Sequence, residues 1–251
     1  MIGDVITYCE LRKDRFGIFT VPEGMTPQQA VNWKKRVLAA NTSYGALYYP
    51  HITILDPLTD KALNIPCGGH VAGVYAKTDQ VKTVGDAPAG MATGKLGFLI
   101  GLERSLQKEH VGDLNSNDIN CLIDWPQTGR VVWGARTLEL AGEFTYVSQR
   151  RLFMFLEKSA YLAGHVYVFE SNTAALRARI KTQFSAWLLN LFNQGYFAGA
   201  TPAESYFVIC DDTNNPQVSI DAGFLFIDIG VATKKPAEFI VFSFQQMQMS
   251  T

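Results

Sequence analysis

The stretch that most constrains the fold runs from Arg130 to Gly164, R-V-V-W-G-A-R-T-L-E-L-A-G-E-F-T-Y-V-S-Q-R-R-L-F-M-F-L-E-K-S-A-Y-L-A-G. Val131 to Leu140 is dense in β-branched and aromatic residues and is interrupted at Gly134, where a missing side chain lets a neighbour pack close. That pattern predicts a buried strand with a bulge. A helix follows, with Ser148 as its N-cap and Leu152, Phe155, Leu156, Ser159, Ala160 and Ala163 recurring at three- and four-residue spacing up to a stop at Gly164. A strand feeding an amphipathic helix of this length anchors a core.

The chain before it reads as an α/β layer. Asp4 to Lys13 is the tail of a helix, and Phe16 to Val21 a short strand closed by Pro22. Thr26-Pro27 starts a second helix, the threonine capping and the proline taking the first turn. Tyr44 to Tyr49 and Ile52 to Leu55 read as one strand bent at Pro50. The order β-α-β with short links predicts neighbouring parallel strands joined by a right-handed crossover. Asp56 to Gly69 is turn-rich, and Val71 to Ala76 opens a helix. Thr83 to Gly97 reads as an exposed loop, Leu102 to Leu114 as a helix, Asn115 to Asp118 as a turn and Ile119 to Trp125 as a strand.

After Gly164, Val166 to Glu170 is a candidate strand. Asn172 caps the strongest helix of the chain, whose Leu176, Ile180, Phe184, Trp187, Leu188 and Leu191 follow the helical period until Gly195. Ser205 to Cys210, Gly223 to Ile229 and Glu238 to Phe244 are β-rich and predict a small antiparallel arrangement. The fold class is therefore α/β with α+β character: a mixed sheet flanked by helices, a β-rich C-terminal part and a strand-forming C-terminal arm.

Composition excludes several function classes. With 47% hydrophobic and 18% charged residues the chain can bury a substantial core, and a net charge of -1 removes the electrostatic basis for general nucleic-acid or acidic-membrane binding. No apolar run approaches the ~20 residues that span a bilayer. Cys9, Cys67, Cys121 and Cys210 lack C-x-x-C spacing and read as reduced, buried thiols.

No constellation carries strong chemistry. Ala89 to Leu96, A-G-M-A-T-G-K-L, imitates a phosphate loop but has Ala89 and Leu96 where glycine and a hydroxyl residue are needed. The four histidines have no paired metal spacing, and no G-x-S-x-G elbow is present. Cys67 beside His70 is the minor reading as a hydrolytic nucleophile and base on an α/β scaffold. Asp211-Asp212 with Asn214-Asn215 lacks the spacing of a calcium loop. No cofactor, metal or catalytic set is expected.

Charged residues suggest contacts instead. Arg136, Arg150 and Arg151 lie beside the central unit and are expected to form structural ion pairs, inside the subunit or across a subunit boundary. Arg177, Arg179 and Lys181 open the long helix, with Arg177 and Lys181 on one face. The near-uniform apolar run Phe239 to Phe244 stands at the chain's end, where exposure is an aggregation hazard unless the strand is internal or is donated to a neighbour.

W-G-A-R-T-L at Trp133 to Leu138 and Y-V-S-Q-R-R-L-F-M-F-L-E at Tyr146 to Glu157 resemble the C-terminal part of contractile-tail sheath proteins. The resemblance continues through Asp14 to Pro22, Tyr48 to Pro50, Val71 to Asp79, A-P-A-G at Ala87 to Gly90 and K-P-A-E-F-I at Lys235 to Ile240. It implies a structural, non-enzymatic subunit that polymerises helically around an inner tail tube and contracts to drive the tube through a target envelope. The implied partners are identical subunits, the inner tube protein, and baseplate and tail terminator proteins, with no direct nucleic-acid contact and no membrane insertion. The implied location is the tail sheath of a virion assembled in a bacterial cytoplasm.

Within that resemblance, residues 1–236 are the core domain and 237–251 a linking arm. Glu238, Phe239, Ile240, Val241, Phe242, Ser243 and Phe244 are the candidates for inter-subunit strand exchange, and Arg177, Arg179 and Lys181 for tube contact. Family members carry a long N-terminal portion, including another linking arm, before the block that starts here near Asp4. The resemblance thus implies an excerpt of a longer protein or a shortened variant. A non-contractile scaffold or tube protein is a further alternative.

Overall fold

A computed structural model describes residues 2–126 and 128–238. In chain order the first elements are α1 (Ile2–Arg12), β1 (Gly17–Thr20), α2 (Pro27–Trp33), β2 (Gly45–Tyr49), β3 (Ile52–Leu55), β4 (Ala62–Ile65) and α3 (Gly68–Val81). Next come the helical turn α4 (Gly90–Thr93), β5 (Gly101–Leu102), α5 (Lys108–Ser116), β6 (Ile119–Trp125) and β7 (Gly129–Trp133). The chain then forms α6 (Val147–Gly164), α7 (Ala174–Asn193), α8 (Pro202–Ser205), β8 (Tyr206–Ile209), α9 (Gln217–Asp221) and β9 (Asp228–Val231).

The principal sheet has the order β1-β2-β6-β7, with β1, β2 and β6 parallel and β7 antiparallel. The predicted β-α-β unit is its first half. Thr26 Oγ1 accepts from the Gln29 amide at 3.3 Å while the Gln29 side chain accepts from the Thr26 amide at 2.8 Å, so α2 starts in a closed capping box with Pro27 in its first turn. Every residue of β2 is buried, because helices and loops cover both faces. Leu47 and Tyr49 join Ile119, Cys121 and Val131 on one face; Ala46 and Tyr48 join Leu122, Val132 and Val74 on the other. A third cluster lies apart, where Leu152 and Leu156 of α6 meet Leu176, Ile180, Phe184, Leu188 and Leu191 of α7, with Val208 of β8.

Several expectations are corrected. Tyr44 to Tyr49 and Ile52 to Leu55 are not one bent strand: the chain turns at the cis Tyr49–Pro50 bond, and β3 joins a separate antiparallel sheet of order β4-β3-β5. The hairpin partner β4 hides in the turn-rich segment, where the Asp56 carboxylate accepts from the Leu58 amide and the Thr59 hydroxyl and closes the loop. Thr83 to Gly97 is no exposed loop, since Thr83, Gly85, Thr93 and Leu96 are buried. Its end covers the β7 edge, the Val132 amide donating to Gly94 and the Leu96 amide to Arg130. Leu102 is in β5, and the helix of that region starts only at Lys108.

Further on, β7 stops at Trp133 instead of running with a bulge to Leu140. Ser148 lies inside the first turn of α6, whose N-cap is Tyr146. Val166 to Glu170 is not a strand; His165–Tyr167 is a 3₁₀ turn. Thr173, not Asn172, caps α7 by accepting from the Leu176 amide at 3.2 Å. The β-rich end yields an antiparallel β8–β9 pair that begins only at Asp228.

Candidate assembly junction

The sequence blocks around Trp133, Ala87, Tyr146 and Pro236 converge at one place. It starts with Asn120, a buried amide within the apolar run Ile119–Ile123 of β6. Its Nδ2 donates to the Leu47 carbonyl at 3.1 Å and to the Arg136 carbonyl at 2.8 Å, and its Oδ1 accepts from the Arg136 amide at 2.7 Å. A side chain thus takes over the hydrogen bonds that a continued β7 ladder would have made. The chain passes so close that a Cβ on Gly134 would lie 2.8 Å from Asn120 Oδ1, which is why the strand breaks at a glycine.

Beyond that break the Arg136 guanidinium faces the returning C-terminal segment. Nε donates to the two Glu238 oxygens at 2.9 and 3.2 Å, and Nη2 to Oε2 at 2.5 Å. The Tyr146 hydroxyl adds a bond to the same carboxylate at 3.3 Å. Behind Arg136, Asp118 bridges it at 3.4 Å to Lys34 at 3.0 Å, and Lys34 and Asp118 are both buried. The Glu238 carboxylate holds the Arg136 guanidinium above its ordinary pKa, whereas burial pulls the Lys34 ammonium below its own against the opposing pull of Asp118. Beside these pairs lies a cavity of about 170 Å³ lined by Ala87, Ala89, Trp133, Gly134, Pro236 and Ala237.

The returning segment is tied along its length. The Ala232 amide donates to the Ser205 carbonyl at 2.8 Å, Gln149 Nε2 to Thr233 Oγ1 at 2.8 Å and Lys234 Nζ to Asp86 at 2.8 Å. Glu238, expected in strand exchange, is thereby engaged inside its own subunit. Phe239, Ile240, Val241, Phe242, Ser243 and Phe244 lie outside the described residues.

Among the other arginines, Arg151 forms a bidentate pair with Asp79 at 2.9 and 2.6 Å, tying α6 to α3. Arg150 has no ion pair among the described residues of its own chain. Its guanidinium stacks over Phe144 at 3.6 Å and Tyr44 at 4.4 Å, and Nε donates to Ser43 at 2.9 Å, so ring faces and a hydroxyl hold it within the chain.

The cations of α7 are also engaged. Arg177 is buried, with Asp212 at 2.5 Å and Asn172 at 2.8 Å; Lys181 pairs with Asp211 at 3.1 Å, and the exposed Arg179 with Glu170 at 2.9 Å. Hydrogen bonds from Thr213 and then Lys181 lower the Asp211 carboxyl to about 2. The side chain of Asn215 locks the same turn to the Phe226 backbone through bonds of 2.9 and 2.8 Å, which aligns β8 with β9. Those two strands pair only with each other among the described residues, leaving an open edge on each side, and Phe207 is 56% exposed.

The Cys67–His70 pair is poorly disposed for nucleophilic chemistry. Burial pushes the Cys67 thiol up to about 12, and its neighbour is the Thr20 hydroxyl at 3.4 Å, so thiolate is scarce at neutral pH.

Residues 2–138 match the family described as phage tail sheath protein central domain. The chain belongs to the phage tail sheath protein family. It is 29% identical over 208 residues to the tail sheath protein of Vibrio phage KVP40, a match covering 82% of this chain and 30% of that protein. Among solved structures it is similar to a chain of the anti-feeding prophage baseplate, with TM-score 0.83 and 29% identity over 98% of this chain and 64% of the other. A chain of an extracellular contractile injection system, the PVC sheath complex in its contracted state, gives TM-score 0.81 and 32% identity, covering 92% of this chain and 64% of that one. The α/β architecture is thus a sheath fold. The chain spans less than a third of the length of the Vibrio phage sheath protein and about two thirds of those solved chains.

Arg136 and Glu238 were legible in the sequence, whereas Lys34, Asp118, Asn120 and Tyr146 were not. The one signal available was Asn120, a lone amide within the apolar run Ile119 to Ile123.

Proposed function

We propose that this chain serves a contractile tail sheath: it polymerises helically around an inner tube and contracts to drive that tube through a target envelope. The observation that carries the reading is its likeness to a chain solved within a contracted sheath complex. Its partners are identical subunits, the inner tube protein, and baseplate and terminator proteins. It resides in the tail of a particle assembled in a bacterial cytoplasm. Subunits stack through a heterologous interface whose rotation does not close, which generates an open helix. Contraction moves folded subunits as rigid bodies into a wider, shorter array, and no nucleotide hydrolysis is required.

The division of labour follows. Residues 1–236 are the core domain and 237–251 the linking arm, with Ala237 and Glu238 as its base. The apolar strand Phe239 to Phe244 pairs with a neighbour's β8–β9 edge, where main-chain hydrogen bonds supply affinity. What supports this choice of recipient is that a two-stranded sheet is marginal alone and gains from a third strand. Arg179, the most accessible of the three helix cations, is the tube contact easiest to isolate. Arg179→Glu is expected to change stability by less than about 0.5 kcal/mol and to weaken tube binding in a salt-dependent way; unchanged binding removes Arg179 from that role.

Electron microscopy with sedimentation of the intact chain and of a version ending at Lys235 tests the assembly. Helical tubes from the intact chain and small species from the truncated one are expected. Equal assembly by both, or none by either, contradicts the reading.

A further inference from the structure

We infer that the Arg136–Glu238 pair, backed by Asp118 and Lys34, is a positioning device that fixes where the C-terminal arm leaves the subunit. The inference rests on the linking-arm reading above and goes beyond it by naming the groups that set the arm's origin. A flexible tether searches a large volume, and its effective concentration at a neighbour falls as its free length grows. From Ala232 onward the chain crosses from the β8–β9 pair back to the principal sheet, held by Gln149 to Thr233 and by Lys234 to Asp86. The Arg136 fork then closes on Glu238 at the rim of the Trp133 and Gly134 cavity. The apolar run Phe239 to Phe244 follows that point directly in sequence.

The direction of the clamp is set from behind. Asp118 is 3% exposed and joins Lys34 to Arg136, so the guanidinium is held by a charge anchored in the core and presents its Nε and Nη2 edge outward. Neither group acts by chemistry on a partner. Both act through the arm, shortening the free tether to the strand that is donated.

Three chains test this: wild type, Glu238→Gln, and a chain ending at Glu238. Glu238→Asp serves as the conservative rescue. Hydrogen exchange reads the anchor and sedimentation velocity over a concentration series reads association. With Glu238→Gln, the amides of Ala198 and Ala232, which donate to the Ala232 and Ser205 carbonyls, are expected to exchange at least about tenfold faster while those of α7 and β6 hold. Association is expected to weaken by about tenfold, with partial recovery in Glu238→Asp. Exchange unchanged in Glu238→Gln overturns the anchor. Faster exchange with unchanged association reduces the pair to a structural staple and overturns the positioning role. Exchange that rises equally in β6 and α7 overturns it too, by showing general loosening. If the chain ending at Glu238 associates as well as wild type, the linking-arm reading itself fails, whatever the exchange shows.

Discussion

The part of the chain up to residue 138 and the part after it solve the same problem differently. In the first, β2 and β6 are covered on both faces, and the β7 edge is closed by the 94–96 segment. In the second, the described β8–β9 pair keeps open edges, and Phe169, Phe207 and Phe224 stand exposed. The contrast is therefore between the principal sheet, buried on both faces, and the two-stranded β8–β9 pair; the first part also carries edges at β4 and β5 and an exposed Phe98.

The first part is most vulnerable at Asp118, because removing it leaves Lys34 buried without its counter-charge. Asp118→Ala is expected to cost about 3–5 kcal/mol in urea denaturation; a loss below about 1 kcal/mol would mean that the charge chain is not what holds that half. Leu188→Ala, in the separate α6–α7 cluster, is expected to cost about 2–5 kcal/mol. Hydrogen exchange should then rise in α7 and β8 before β2 and β6; simultaneous opening would show that the two parts unfold as one unit.

Acidification acts on the second part at the Asp211 turn. The folded Asp211 carboxyl lies near 2, below the ~3.9 of an unfolded aspartate, so its contribution is complete above the unfolded value and is lost as pH falls toward 2. Amides of residues 211–215 are expected to lose protection over that interval. Protection that stays constant from pH 5 to pH 2 would exclude Asp211 from holding the turn.

What could be read from the sequence was local and periodic. Thr26-Pro27 capping, the parallel β1 and β2, the strand from Ile119 and the long helix ending at Gly195 each carry their signal within a few residues. What could not be read depended on partners far away in sequence. Pro50 gave a bend but not the change of sheet, since β4 and β5 supply the new partners. Gly134 gave a break, but that Asn120 would replace the ladder required the fold. Arg136 promised a carboxylate without revealing that it lay 102 residues on, at the base of the arm. The cations of α7 looked free because the aspartates that engage them lie 30 and 35 residues downstream.

The most direct test of the account is whether the end of one subunit reaches the β8–β9 edge of another. Phe207→Cys combined with Phe242→Cys, treated with a short bis-maleimide and resolved on a denaturing gel, should give a ladder of linked subunits, while each single variant stays monomeric. The native thiols are buried and provide the low background. A double variant that yields only monomers, linked internally or not at all, would contradict strand donation between subunits.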